Sequence, residues 1–326
     1  MQQVLNLTFP FFALVLCGYA AARCRLLPLD AIPGLNVFVL FFALPCMLFR
    51  FAANTPIERL LDTSAFLTYL VCALAMVAIT IVATRWRKIG WNDASFGALV
   101  VAFPNTGFMG MPLLASLLGG RGLAPAVVSL AVDMVVTTSL CIGLSRLNAA
   151  GDSKDPAVAR KVLKGVLVNP LPWAILLGGL SSYADVSLYG PLARMVEMMA
   201  NAGSPAALFT IGAVLARSQL HAAAGGKSAG SRDVPRMVLF KLVLHPCLVL
   251  LVGKLAMFLG LPLSASALTV LALVAALPSA SSIPMLSERY GADTGRVAQV
   301  VLVTTAFAFI SFSASVAFLL GEMPKV

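Results

Sequence analysis

Apolar runs of about 20 residues, each long enough to cross the hydrocarbon core of a bilayer as a helix, follow one another along nearly all of this 326-residue chain. In hydrocarbon every backbone N–H and C=O must be satisfied within the segment, so such a chain has essentially one solution, a bundle of spanning helices. With 60% hydrophobic and 11% charged residues and a mean hydropathy of +0.95, a water-soluble globular domain is excluded. The runs read as ten spans, at roughly 4–22, 32–53, 64–84, 94–118, 123–146, 162–183, 191–216, 235–259, 264–287 and 296–320. No Lys or Arg precedes the first run and further spans follow it directly, so it is expected to be a retained helix and not a signal peptide. The expected fold is an all-α polytopic membrane protein.

The connections are short. The longest, 147–161 and 217–234, are too small for a soluble domain, and Gly225 to Ser231 reads as a flexible linker. Six cysteines (Cys17, Cys24, Cys46, Cys72, Cys141, Cys247) lie in or beside apolar runs without paired spacing. They are expected to be free thiols, with no disulfide, metal site or cofactor. The net charge of +10 is expected to record loop topology, not a nucleic-acid partner. The odd-numbered connections carry 16 Lys and Arg residues against 6 on the other side. By the positive-inside rule the odd connections face the cytoplasm and both termini lie outside.

One run contains its own interruption. Within Ala102 to Pro112, Pro104 removes a backbone donor, Gly107 and Gly110 tolerate non-helical angles, and Asn105 and Thr106 place polar groups at mid-membrane depth. A broken span is tolerated only where protein buries the freed backbone or a wet cavity receives it, so this break marks a site.

The interruption has a counterpart. Pro10 and Gly18 recur as Pro170 and Gly178, and Pro45-x-x-Leu48-Phe49 recurs as Pro205-x-x-Leu208-Phe209, both at an offset of 160; Pro104 matches Pro278 and Thr137-Thr138 matches Thr304-Thr305. Five spans per half is an odd number, so the halves have opposite orientation. The expected architecture is an inverted 5+5 repeat, residues 1–146 and 162–320 about a cytoplasmic connector at 147–161, with broken helices 4 and 9 crossing. Secondary transporters are built this way, with the site near the midplane where half-helix N-termini face an anionic group.

Phe103 to Pro112, together with Leu35 to Pro45, Asn169-Pro170, Leu277-Pro278 and Thr304-Thr305, resembles the auxin efflux carrier family, within the bile/arsenite/riboflavin transporter superfamily. The likeness covers essentially the whole chain. The short connection after span 5 is similar to bacterial members, the malonate and organic-acid permeases. The resemblance implies a carrier of a small organic anion in the bacterial inner membrane. Helices 1, 2, 6 and 7 would form a dimerising scaffold, and helices 3–5 with 8–10 a mobile transport domain. It places the substrate carboxylate at Pro104, Asn105, Thr106 and Gly107 and at Pro278, Ser279 and Ser281; Ser279 stands where family members often carry an amide.

Each candidate also has a structural reading. Asn105 either contacts substrate or caps the half-helix behind it. Asp133, deep in span 5, is a proton carrier or charge partner, or else hydrogen-bonds the broken backbone of span 4. Lys241 and His245 lie one helical turn apart; Lys241 is a fixed cation attracting the organic anion or the partner of Asp133, or else snorkels to the membrane surface, and His245 titrates near neutral pH or is merely hydrogen-bonded. Thr137, Thr138, Thr304 and Thr305 line the crossing or satisfy their own i−4 carbonyls, and Glu197 is expected to be solvated. An enzyme is not expected: the only histidines are His221 and His245, and nucleophile and zinc motifs are missing. An anion channel and a sodium-coupled symporter of the bile-acid type are the alternatives. The crossing is poor in carboxylates, so transport is expected to be sodium-independent.

Overall fold

A computed structural model describes residues 2–54, 62–86, 88–118, 123–146, 170–186, 188–224 and 233–321. Every regular element among them is helical. In chain order these are α1 (Gln2–Arg23), α2 (Leu29–Ala53), α3 (Thr63–Arg85), α4 (Trp91–Ala102), α5 (Thr106–Leu118), α6 (Ala124–Ser145), α7 (Pro170–Tyr183), α8 (Gly190–Ala224), α9 (Val234–Phe258), α10 (Ala265–Ala276), α11 (Ile283–Arg289) and α12 (Thr294–Gly321). Six of them, α2, α3, α6, α8, α9 and α12, are long and apolar enough to cross a membrane. The runs expected as spans 4 and 9 are each divided in two, α4 with α5 and α10 with α11. The connector at 147–161 and the start of the expected sixth span lie outside the described residues.

Proline accounts for much of the local irregularity. One-turn π segments occur at Val39–Ala43, Thr106–Gly110, Asp133–Thr137 and Phe240–Leu244. Three of them end two residues before a proline: Pro45, Pro112 and Pro246. In each, the N–H just ahead of the proline reaches back five residues, Leu44 to Val39, Met111 to Thr106 and His245 to Phe240. A proline ring collides with the carbonyl four residues before it, and widening the preceding turn moves that carbonyl aside without ending the helix. The fourth, at Asp133, has no proline after it. There the Thr138 Oγ1 donates to the Asp133 carbonyl at 2.8 Å.

The helices pack in two groups. α1 lies along α8, α7 along α2, and α2 against α8. The contacts are close because glycine permits them. A Cβ on Gly18 would overlap the Phe209 carbonyl oxygen, and one on Gly178 would overlap that of Phe49. The second group contains the divided spans. α4 is buried at every residue from Ala94 to Ala102 and α10 at every residue from Val270 to Ala276. α3 packs on α4, α6 and α9, and α10 on α9, α6 and α12. Helices that are apolar all round belong in such a centre.

Candidate functional site

The two interruptions meet. Phe103 and Leu277 both leave the helical region for extended backbone, and Pro104 and Ser279 form an isolated antiparallel bridge. The Asn105 N–H donates to the Pro278 carbonyl at 2.8 Å and the Ala280 N–H to the Phe103 carbonyl at 3.0 Å. Each broken span thus lends the other the backbone partners that its proline took away, which is how unwound backbone is tolerated at this depth. Pro104, Asn105, Thr106, Gly107, Pro278, Ser279 and Ser281 are all buried, and the backbone bridge brings Pro104 and Asn105 to Pro278 and Ser279.

The side chains around this bridge are left over. Asn105 Oδ1, Thr106 Oγ1 and Ser279 Oγ are buried with no hydrogen-bond partner among the described residues. Asn105 does not cap α5 with its side chain; its backbone carbonyl does that work, accepting from Met109 at 3.0 Å and Gly110 at 2.9 Å. The N–H groups of Gly107 and Phe108 have no backbone acceptor among the described residues. Buried polar atoms are nearly always paired. Two hydroxyls that can donate, one amide oxygen that can accept and two N–H groups, all without partners among the described residues, make the crossing a polar place suited to an anion that also carries a hydroxyl or a protonated carboxyl. Thr304 supports it, accepting from the Ser279 N–H at 3.2 Å and donating to Val300 at 2.8 Å, whereas Thr305 bonds only its own helix through Val301 at 2.7 Å.

Beside the crossing lies a second polar cluster, of ionisable groups. Asp133 is fully buried. Its carboxylate accepts from Tyr69 Oη of α3 at 2.7 Å and Thr137 Oγ1 at 3.1 Å, so its partners are not the broken backbone of span 4. Lys241 is also fully buried; the sequence allowed it to snorkel, and the structure turns it inward. Its ammonium lies 3.0 Å from His245 Nδ1 and donates to the Ala275 carbonyl at 3.1 Å. Asp133 and Lys241 feel each other's charge, though no ion pair within 4.0 Å joins them among the described residues. Cys72 and Cys141 complete the ionisable groups of the cluster. Tyr69 escaped the sequence reading; the available signal was a phenol amid an apolar run, which needs a partner for its O–H when buried.

Two further features had no local signal. Arg296, counted above among loop charges, is buried and forms a two-pronged ion pair with Asp233 at the start of α9, while its NH1 donates to the Asp93 carbonyl in α4 at 2.8 Å. Glu197 is half exposed, as expected, and pairs with Arg50 at 3.4 Å. A crevice of about 490 Å³ lies between α1, α8 and α12, lined by Phe12, Leu16, Phe307 and other apolar side chains. Thr305 lines it but none of the residues from the two interruptions does, and its apolar wall suits acyl chains better than a carboxylate.

Comparison with known proteins agrees with this picture. A family model described as membrane transport protein matches residues 3–315. A Rhizobium meliloti (strain 1021) protein named "Putative malonate transporter" is 29% identical over 312 residues, covering 94% of this chain and 92% of its own. An uncharacterized transporter of Escherichia coli (strain K12) is 25% identical over 308 residues, 92% of each chain. Auxin efflux carrier component 8 of Arabidopsis thaliana is 22% identical over 300 residues, 77% of this chain and 80% of its own. With its succession of apolar helices, this multi-pass membrane protein therefore belongs to the membrane transport protein family, that of the auxin efflux carriers, a family of transporters and not of enzymes.

Proposed function

We propose that the chain is a secondary carrier that moves a small organic anion across the bacterial inner membrane by alternating access, with a malonate- or malate-like dicarboxylate as the first candidate and an auxin-like carboxylate as the second. The observation that carries this reading is the crossing, where Asn105 Oδ1, Thr106 Oγ1 and Ser279 Oγ lie buried and unpaired around the N-terminus of α5. Oriented N–H groups and the helix dipole favour negative charge there. The Thr106 and Ser279 hydroxyls and the Asn105 amide would donate to the carboxylate. The 29% identical relative named for malonate supports the substrate class.

The architecture we propose is the inverted 5+5 repeat. Gly18 against Phe209 and Gly178 against Phe49 are the same contact made twice, each position displaced by 160 residues. This supports a scaffold of α1, α2, α7 and α8 that forms the homodimer and a transport domain of α3–α6 with α9–α12. Asp133 would couple transport to a proton, with Tyr69 and Thr137 orienting its carboxylate.

Thermal unfolding of the purified protein against malonate, malate, lactate, aromatic carboxylates and amino acids tests the substrate class, because a ligand of the folded state raises its stability by mass action. We expect stabilisation by a dicarboxylate and saturable, counter-substrate-stimulated uptake in proteoliposomes. Ohmic single-channel currents would remove the carrier reading in favour of a channel. Uptake that collapses when choline replaces sodium would favour the bile-acid type of symporter.

A further inference from the structure

The break in the second crossing span leaves a helix end inside the membrane. α10 stops at Ala276, and its last carbonyls need donors that the helix no longer supplies. Leu277 N–H serves Val274 at 3.1 Å. The Ala275 carbonyl would, in a continuous helix, receive the Ser279 N–H. Instead that N–H goes to Thr304 Oγ1 at 3.2 Å. The C-terminal end of a helix carries about half a negative charge, and the Asp133 carboxylate adds its own charge nearby. Negative charge of this kind, desolvated, calls for a cation. Carriers with broken helices hold their coupling cations on half-helix C-termini and unwound carbonyls.

The chain supplies that cation from its own sequence. The π turn before Pro246 carries Lys241 inward, and its ammonium bonds the orphaned Ala275 carbonyl at 3.1 Å. His245 Nδ1, 3.0 Å away, accepts a second ammonium proton; its proton then sits on Nε2, buried with no partner among the described residues. Among the described residues, His245 from α9 and Asp133 from α6 act on the ammonium, and Tyr69 and Cys72 from α3 and Cys141 from α6 belong to the same cluster through Asp133 and Tyr69. We propose that Lys241 is a tethered resident cation, standing where a carrier of this build would otherwise bind an exchangeable alkali ion, so that the protein needs no sodium there. The proposal rests on the carrier reading and gives it a physical cause.

The test uses the purified full chain without any substrate, so a wrong substrate class leaves its result intact. Thermal unfolding midpoints are compared in sodium chloride and choline chloride of equal ionic strength. The wild type unfolds at the same temperature in both. Lys241→Ala unfolds earlier in choline and recovers in sodium, because the ion enters the vacated place. Adding Asp133→Asn removes the charge that holds the ion, and the double variant is again indifferent to sodium. Sodium stabilisation of the wild type, or a Lys241→Ala protein equally stable in both salts, overturns the proposal. Should Lys241→Ala fail to fold in either salt, a folded and sodium-indifferent double variant upholds charge balance as the role of Lys241. A double variant that is unfolded or sodium-sensitive overturns it.

Discussion

Asn105 shows how a single side chain is freed for work by its backbone. Its N–H and C=O do all the structural bonding, to Pro278, Met109 and Gly110, and its Oδ1 is left buried and unpaired. Asn105→Ala should therefore spare folding and weaken substrate binding roughly 10- to 100-fold, from about 1.5–3 kcal/mol for a hydrogen bond that the side-chain Nδ2 donates to a charged group. The check is ligand-dependent thermal stabilisation beside an unchanged unliganded midpoint; unaltered affinity removes Asn105 from the site. Asp133 is the opposite case, a carboxylate whose oxygens are engaged by Tyr69 and Thr137. Asp133→Asn keeps an acceptor for Tyr69 and removes the titrating group. It should flatten the pH dependence of uptake in proteoliposomes, and a profile unchanged from wild type would make Asp133 purely structural.

At the scale of elements, prolines and glycines set the shapes. Prolines were legible in the sequence as interruptions, but two outcomes differ. At Pro104 and Pro278 the helix is broken, while ahead of Pro45, Pro112 and Pro246 it survives with one widened turn. The crossing decides between them, since only there, among the described residues, does a second unwound strand offer backbone partners. Glycines act where backbones touch. Gly18→Ala and Gly178→Ala should each destabilise by about 1–3 kcal/mol, as overpacking does, because the added Cβ overlaps a carbonyl of the facing helix. Gly143→Ala, with nothing within 4 Å of the new atom, is the control and should be neutral or slightly stabilising. Similar losses at Gly18 and Gly178 in thermal unfolding would agree with a repeated contact; a loss at only one would count against the repeat.

Across the whole molecule, charge does two different jobs. Arg85, Arg146 and Arg236 stay near one set of helix ends, where Arg85 stacks on Trp91, Arg146 on Tyr290 and Arg236 bonds the Ala83 carbonyl. These sites suit the proposed cytoplasmic face. An alkaline phosphatase reporter fused after Val326 should be active and a fluorescent protein dark if the C-terminus is outside; the reverse pattern inverts the topology. Arg296 instead ties α12 to α9 and α4 from within. Arg296→Gln removes the guanidinium that Asp233 faces in this buried pair and should cost about 3–5 kcal/mol. A Met and Leu replacement of the two together should recover much of this in thermal unfolding.

The sequence by itself determined the class of fold, because hydrocarbon admits only helices for runs so apolar, and it pointed to the crossing, because Pro104 and Pro278 each take a donor out of the helical ladder. It also determined which residue types reach the site. The tertiary structure alone decided their hydrogen-bond partners. Asn105 could cap, bind or do both, and the structure shows the backbone doing the capping; Lys241 could snorkel or stay, and the structure shows it bonded to the Ala275 carbonyl. Tyr69 and the Arg296–Asp233 pair belong to that second kind throughout. Their partners lie 64 and 63 residues away, and no local pattern specifies a contact whose geometry is set by how helices pack.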